Sequence, residues 1–202
     1  MSSGLSKVGV IWALASFLSA TAASVGFYLP FWLQGWMRDE HVTPVYFGVF
    51  RRCNYPKLMK TGLIKVVEEC GRYTTFYDIP SMSWQIAAVL VGVGCGIAIL
   101  VSFTALLAMC IKDIFSETAV RVAGVVQLLA GLLIGAGIAI YPNGWDSIEV
   151  QQACGHASAS YRMGGCQLSW AFYLTAGGAA VTMICAALSC GASKEKTFAY
   201  HV

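Results

Sequence analysis

At 202 residues, with a mean hydropathy of +0.67 and only 11% charged residues, the chain falls well short of the roughly 25% charge usual in soluble domains and has the composition of a membrane protein. Its formal charge of +3 is small and dispersed, which argues against nucleic-acid binding. No Gly-rich phosphate loop, HExxH or nucleophile elbow is present and His41, His156 and His201 stand far apart, so nothing points to an enzyme, a cofactor or a metal.

Four apolar stretches are long enough to cross a bilayer, which takes about 20 residues at roughly 1.5 Å each. They fall at 8–29, 84–111, 119–141 and 168–190, and the whole chain, 1–202, reads as a single tetraspan domain. In the first, Lys7, an apolar run and "SATAAS" resemble a cleavable signal peptide. The run continues through "VGFYLPFWL" with no charge before Arg38, longer than the roughly 7–15 residues of a signal core, which favours an uncleaved helix.

The connection 30–83 is too long for a structureless loop in a compact protein. "VYFGVF" (45–50) and "RYTTFY" (72–77) are rich in β-branched and aromatic residues, and Gly48, Gly62 and Gly71 supply breaks, so a small antiparallel sheet is expected. In the third span Gly131 and Gly135 form a GxxxG with Gly124 seven residues earlier, which reads as close packing inside a four-helix bundle. Gln127 is expected to bond within that bundle. No span carries an acidic residue in its interior, and Arg121 sits where the third begins. Transport usually requires ionisable groups at membrane depth, so this chain alone is a poor transporter. "IEVQQAC" (148–154) suits helix or strand.

An even number of spans places the termini, 112–118 and the tail 191–202 on one side, and the connections 30–83 and 142–167 on the other. Basic residues lean weakly toward a cytosolic N-terminus. The cysteines are more informative. Cys53, Cys70, Cys154 and Cys166 all lie in the two same-side connections, and no loop cysteine lies opposite. Disulfides persist in oxidising compartments, and the spacings lack the CxxC character of structural zinc sites, so the set reads as two exoplasmic bridges. Of three connectivities, the simplest joins Cys53 to Cys70 and Cys154 to Cys166.

Trp32, Trp36, Trp84, Tyr141, Trp145 and Trp170 crowd one end of the spans, as expected of an interfacial belt; for Trp32 and Trp145, packing inside the extracellular part is an equal reading. Arg51 and Arg52 read as a solvated face with local ion pairs. Asp146 and Glu149 are candidates for helix-start charges or partner contacts. Cys110 and Cys190, at cytosolic helix ends, are palmitoylation candidates, with helix packing the commoner role. Tyr200 and Val202 fit a PDZ-ligand tail.

Together, Trp32, "GVFRRC" (48–53) and Cys70 resemble the W, GLW, C, C signature of claudin-type tetraspan proteins, with Val49 and Phe50 where claudins carry Leu and Trp. Those departures, with "VEECGRY" (67–73), "YPNGWDSIEVQQACG" (141–155) and "GCQLSWA" (165–171), are similar to the lipoma HMGIC fusion partner-like tetraspan family. "GVIWALASFL" in the first span resembles its founding branch. The resemblance implies four transmembrane helices, a claudin-like extracellular antiparallel sheet and cytosolic termini. It makes Trp32, Gly48, Phe50, Tyr141, Pro142, Gly144, Trp145, Asp146 and Trp170 motif positions. It further implies a plasma-membrane protein acting as an auxiliary, assembly or trafficking subunit for a channel or receptor; the alternative is claudin-like adhesion. The expected partners are the bilayer, another membrane protein or a claudin-like counterpart, and a PDZ scaffold, with no nucleic acid.

Overall fold

The computed structural model describes residues 7–38, 42–58, 64–110 and 117–199. The elements run α1 (Lys7–Tyr28), β1 (Leu33–Arg38), β2 (Val42–Phe47), β3 (Arg51–Leu58), β4 (Ile64–Arg72), α2 (Met82–Cys110), α3 (Glu117–Ile140), α4 (Ile148–Cys154), β5 (Gln167–Leu168) and α5 (Trp170–Ala199). Single 3-10 turns occupy Phe76–Asp78 and Tyr141–Gly144. Helices α1, α2, α3 and α5 are long and apolar enough to cross a membrane.

Their ends follow local chemistry. Helix α1 stops two residues before Pro30, which cannot continue a helix. At the start of α2 the Ser81 hydroxyl accepts the Trp84 N–H at 3.1 Å, satisfying one of the donors that every helix start leaves open. Pro142 turns the chain out of α3 into a 3-10 turn. Helix α5 runs on to Ala199 through the segment expected to be a tail from 191. Loss of apolarity in "GASKEKTFA" ends the span and not the helix, because Ala, Lys and Glu are strong helix formers.

The chain divides into two compact units. The first comprises 1–24, 92–135 and 176–202, and the second 25–91 and 136–175. In the first unit helices meet through small residues. A Cβ at Gly124 would collide with Ser189, and one at Gly131 would stand 2.5 Å from Met183, so α3 approaches α5 more closely than any larger residue permits. Gly94 against Ala130 and Gly178 against Ala23 repeat the device. Gly135 does not take part, since nothing lies within 4 Å of its Cβ position. The close approach uses the seven-residue interval from Gly124 to Gly131 rather than the four-residue GxxxG. Gln127 is fully buried; its Oε1 accepts the Trp12 indole N–H at 3.0 Å and its Nε2 donates to Ser16 Oγ at 2.8 Å, so all three side chains are satisfied where no water competes.

The second unit is built on a five-stranded sheet of order β4-β3-β2-β1-β5 with antiparallel neighbours. "VYFGVF" is not one strand: β2 ends at Phe47 and β3 begins at Arg51. Gly48 makes the turn, its N–H donating to Arg51 O at 2.8 Å, at a place where a Cβ would sit 2.8 Å from Pro30 Cα. "RYTTFY" contributes only Arg72 to a strand. Beyond it the Asp78 carboxylate accepts the Thr75 N–H at 2.8 Å, a capping interaction that outweighs the β-propensity of the intervening residues. The partner of β3 is "IKVVEECGR", and "IEVQQAC" is helix.

The core of this unit is aromatic. Trp84 and Tyr141 stack at 4.9 Å and 12°, and Trp32 meets Tyr141 edge-on at 5.0 Å. All three are fully buried, and Trp145 is 4% exposed. Of the six aromatic residues read from the sequence as a belt, Trp36 and Trp170, each about half exposed, remain available for one. The aromatic run of span ends therefore builds mostly a protein core, because ring on ring buries more surface than ring on lipid headgroup. Each polar handle of the trio is bonded: Trp32 Nε1 donates to Gly26 O at 2.8 Å, Trp84 Nε1 to Tyr141 O at 3.0 Å and the Tyr141 hydroxyl to Phe47 O at 3.0 Å.

Tyr141→Phe, which keeps the ring and strands the Phe47 carbonyl, is expected to cost about 1–3 kcal/mol, and Tyr141→Ala about 3–5 kcal/mol. Thermal unfolding in detergent would rank them; equal midpoints for the two variants would contradict this role for the ring.

Candidate partner-binding groove

Adjacent residues on a strand point to opposite faces, and the two arginines of β3 diverge accordingly. The Arg51 guanidinium lies 4.4 Å from the Tyr28 ring centroid. Arg52 turns the other way, 3.7 Å from the Tyr55 ring and 4.5 Å from the Tyr73 ring, and pairs with Glu149. Arg52 is ion-paired but lies deeper than the solvated face expected from the sequence: side-chain exposure is 24% for Arg52 and 13% for Glu149. The pair joins residues 97 positions apart, beyond anything local charge patterning reveals.

Glu149 is placed by the first turn of α4, and the other carboxylate oxygen accepts the Tyr73 hydroxyl at 3.4 Å. Burial pushes the Glu149 carboxyl above its ordinary value, against the opposing pull of Arg52 and the Tyr73 hydrogen bond. Burial first, and the Glu149 charge second, hold Tyr73 well above the ordinary phenol value. Two disulfides brace this centre. Cys53–Cys70 joins directly paired positions of β3 and β4, and Cys154–Cys166 fixes the end of α4. Each closes a loop whose constraint is worth about 3 kcal/mol. Gly35 lets β1 pass beneath the second bridge, since a Cβ there would lie 2.6 Å from Cys166 Sγ.

Above the ion pair lies a groove of about 380 Å³, whose walls include Tyr55, Pro56, Pro80 and Ile148, with Lys57 and Asp78 beside them. Ile148 is 76% exposed. A groove of mixed apolar and charged character, on a bridged and hydrogen-bonded floor, suits docking of a protein surface. No group of three or more His, Cys, Asp or Glu that could hold a metal occurs among the described residues.

The motif positions are structural supports for this centre. Tyr141 and Trp32 are core. Phe50 packs on Phe27 at 4.8 Å. Pro142 O accepts the N–H groups of Trp145 and Tyr161. Gly144 leaves room for Trp84 and Ser81. Asp146 is exposed, its backbone O accepting from Gln151 at 3.1 Å, and Trp170 stacks on Phe31. Tyr73 was missed, although it closes "VEECGRY". Tyr200 and Val202 lie outside the described residues, as do the side chains of Cys110 and Cys190.

Four membrane-crossing helices with a small, disulfide-bridged antiparallel sheet define an integral, multi-pass tetraspan membrane protein. A family model described as lipoma HMGIC fusion partner-like protein matches residues 8–194. The chain is 31% identical over 197 residues to the human LHFPL tetraspan subfamily member 2 protein, and 30% over 194 residues to zebrafish member 2a. Both matches cover 89% of this chain and 84% of the relative. Zebrafish member 3 is 30% identical over 168 residues, covering 83% of this chain and 73% of the relative. The chain belongs to the lipoma HMGIC fusion partner-like family. These relatives fix the family and do not separate its branches, so the likeness to the founding branch stays an expectation.

Replacing Arg52 with Met should cost about 1–3 kcal/mol by stranding a buried carboxylate, and the Arg52→Met/Glu149→Gln pair should recover part of that. A carboxyl whose folded pKa is raised gives stability present below its unfolded pKa and lost as pH rises through the folded one. Without Arg52 the Glu149 value rises further, so the single variant should lose stability relative to wild type as pH climbs through the range above the ordinary carboxylate value. Unfolding midpoints across that range check this; additive effects of the two substitutions would contradict the coupling.

Proposed function

We propose that this protein is a non-enzymatic auxiliary, assembly or trafficking subunit that binds another membrane protein, a channel or a receptor, through its helix faces and its sheet unit. The observation that carries this reading is the groove over the Arg52–Glu149 pair. Arg52 and Glu149 are locked to each other, leaving Tyr55, Pro56, Pro80 and an exposed Ile148, with Lys57 and Asp78 beside them, as the surface open to a partner. Such an arrangement favours association over proton transfer. The two bridges support placing 30–83 and 142–167 outside the cell and the termini in the cytosol. On sequence alone, Tyr200 and Val202 are proposed for a PDZ scaffold and Cys110 and Cys190 for palmitoylation.

A second reading, claudin-like adhesion, draws on β4. It closes one edge of the sheet and, among the described residues, pairs only with β3; an open edge can accept a strand from a counterpart.

Purification from native membranes in mild detergent, with identification of the co-purifying proteins, separates the two. A stoichiometric channel or receptor is expected. Strand-like polymers at cell contacts would favour adhesion, and ion flux through the purified chain in liposomes would overturn both.

A further inference from the structure

The face of the sheet opposite the Arg52–Glu149 pair carries a second basic feature that the groove does not use. Arg51 of β3 and Arg72 of β4 are directly opposite in the antiparallel register, and directly paired residues share a face. Like charges so placed repel, and no carboxylate among the described residues pairs with either arginine. Arg51 Nε is buried and has no hydrogen-bond partner, a cost normally met by an acceptor. Arg72 lines a separate cleft of about 290 Å³ together with Thr74, Thr75, Phe76 and Phe50. The Asp78 carboxylate in the neighbouring turn is engaged by the Thr75 N–H. Two cations thus face each other across paired strands, with two threonines in the cleft beside Arg72, and no carboxylate among the described residues pairs with either cation.

Their height in the molecule identifies the anion. The Arg51 guanidinium sits 4.4 Å from the ring of Tyr28, the last residue of the first candidate span, and Tyr28 is 58% exposed. Phe50 packs on Phe27 and Tyr28 at that same end. Aromatic rings at a span end mark headgroup level, where the abundant anion is the phosphodiester. Guanidinium groups match phosphate oxygens in geometry and charge.

We propose that Arg51 and Arg72 form a site for the headgroup phosphate of a phospholipid, anchoring the β3–β4 hairpin to the bilayer surface. The ligand relieves the cross-strand repulsion and supplies an acceptor at Arg51 Nε, and its acyl chains lie along the end of α1. This inference stands apart from the partner-binding reading, because it concerns the opposite face of the sheet.

Native mass spectrometry of the full chain, released from detergent with phosphatidylglycerol, with the diacylglycerol of the same chains, or with inorganic phosphate as competitor, reads the site directly. Phosphatidylglycerol should be retained and diacylglycerol should not. Arg72→Gln should lower retention about fivefold, Arg51→Gln/Arg72→Gln should lower it further, and Lys65→Gln on the same strand should leave it unchanged. Arg72 is exposed, so the single variant decides the matter even where loss of Arg51 impairs folding. Undiminished retention by Arg72→Gln, or equal retention of diacylglycerol, would overturn the site. Displacement of the lipid by inorganic phosphate would assign it to a free anion instead.

Discussion

The ring of Tyr141 is the constraint on which the second unit depends. It is stacked on Trp84 at the start of α2, struck edge-on by Trp32 between α1 and β1, and bonded through its hydroxyl to the end of β2. One side chain thus fixes the ends of three helices and a strand to one another. The Trp84 indole returns the bond to the Tyr141 carbonyl, so the polar atoms that Trp32, Trp84 and Tyr141 bring into the core are consumed inside it, while the neighbouring Trp145 Nε1 is buried without a partner. Gly144 follows because a side chain there would displace Trp84, and Pro142 follows because the chain must leave α3 at once. The "YPNGWDS" block is the local consequence of closing an aromatic core over helix ends.

From that core outward, the sheet owes its shape to close approaches and covalent ties. Gly48 and Gly35 let strands pass where a Cβ would collide. Asn54, with φ of 50°, forms the bulge in β3 after Cys53 and bonds Pro44 O, a conformation asparagine tolerates better than most residues. The Arg52–Glu149 pair then joins β3 to α4, between the two bridges. A half-buried ion pair is weak support by itself. Held between two tyrosine rings and braced by disulfides, it gives the groove a defined floor.

Run length made the spans legible in the sequence, because the bilayer sets a one-dimensional requirement. The confinement of four cysteines to two connections indicated bridges, and the structure contains Cys53–Cys70 and Cys154–Cys166. Elsewhere the sequence misled for identifiable reasons. Residues 72–77 have strand composition, yet the strand ends at Arg72 and the Asp78 carboxylate capping the Thr75 N–H starts a 3-10 turn at Phe76. Trp84 and Tyr141 stand where an interfacial belt would, and composition cannot distinguish lipid from another ring as the neighbour. Arg52 and Glu149 lie far apart in the chain, so their pairing is a property of the fold.

The central claim is that the groove beside Ile148 receives another membrane protein. Site-specific photo-crosslinking tests it most directly, with the reactive residue at Ile148 in the full chain expressed in cells, and at Leu132 on the exposed surface of α3 as the comparison. A single, discrete heterologous adduct from Ile148, weakened by Arg52→Met, is the predicted result. Adducts only to a second copy of this chain, or none while Leu132 gives a discrete protein adduct, would contradict it.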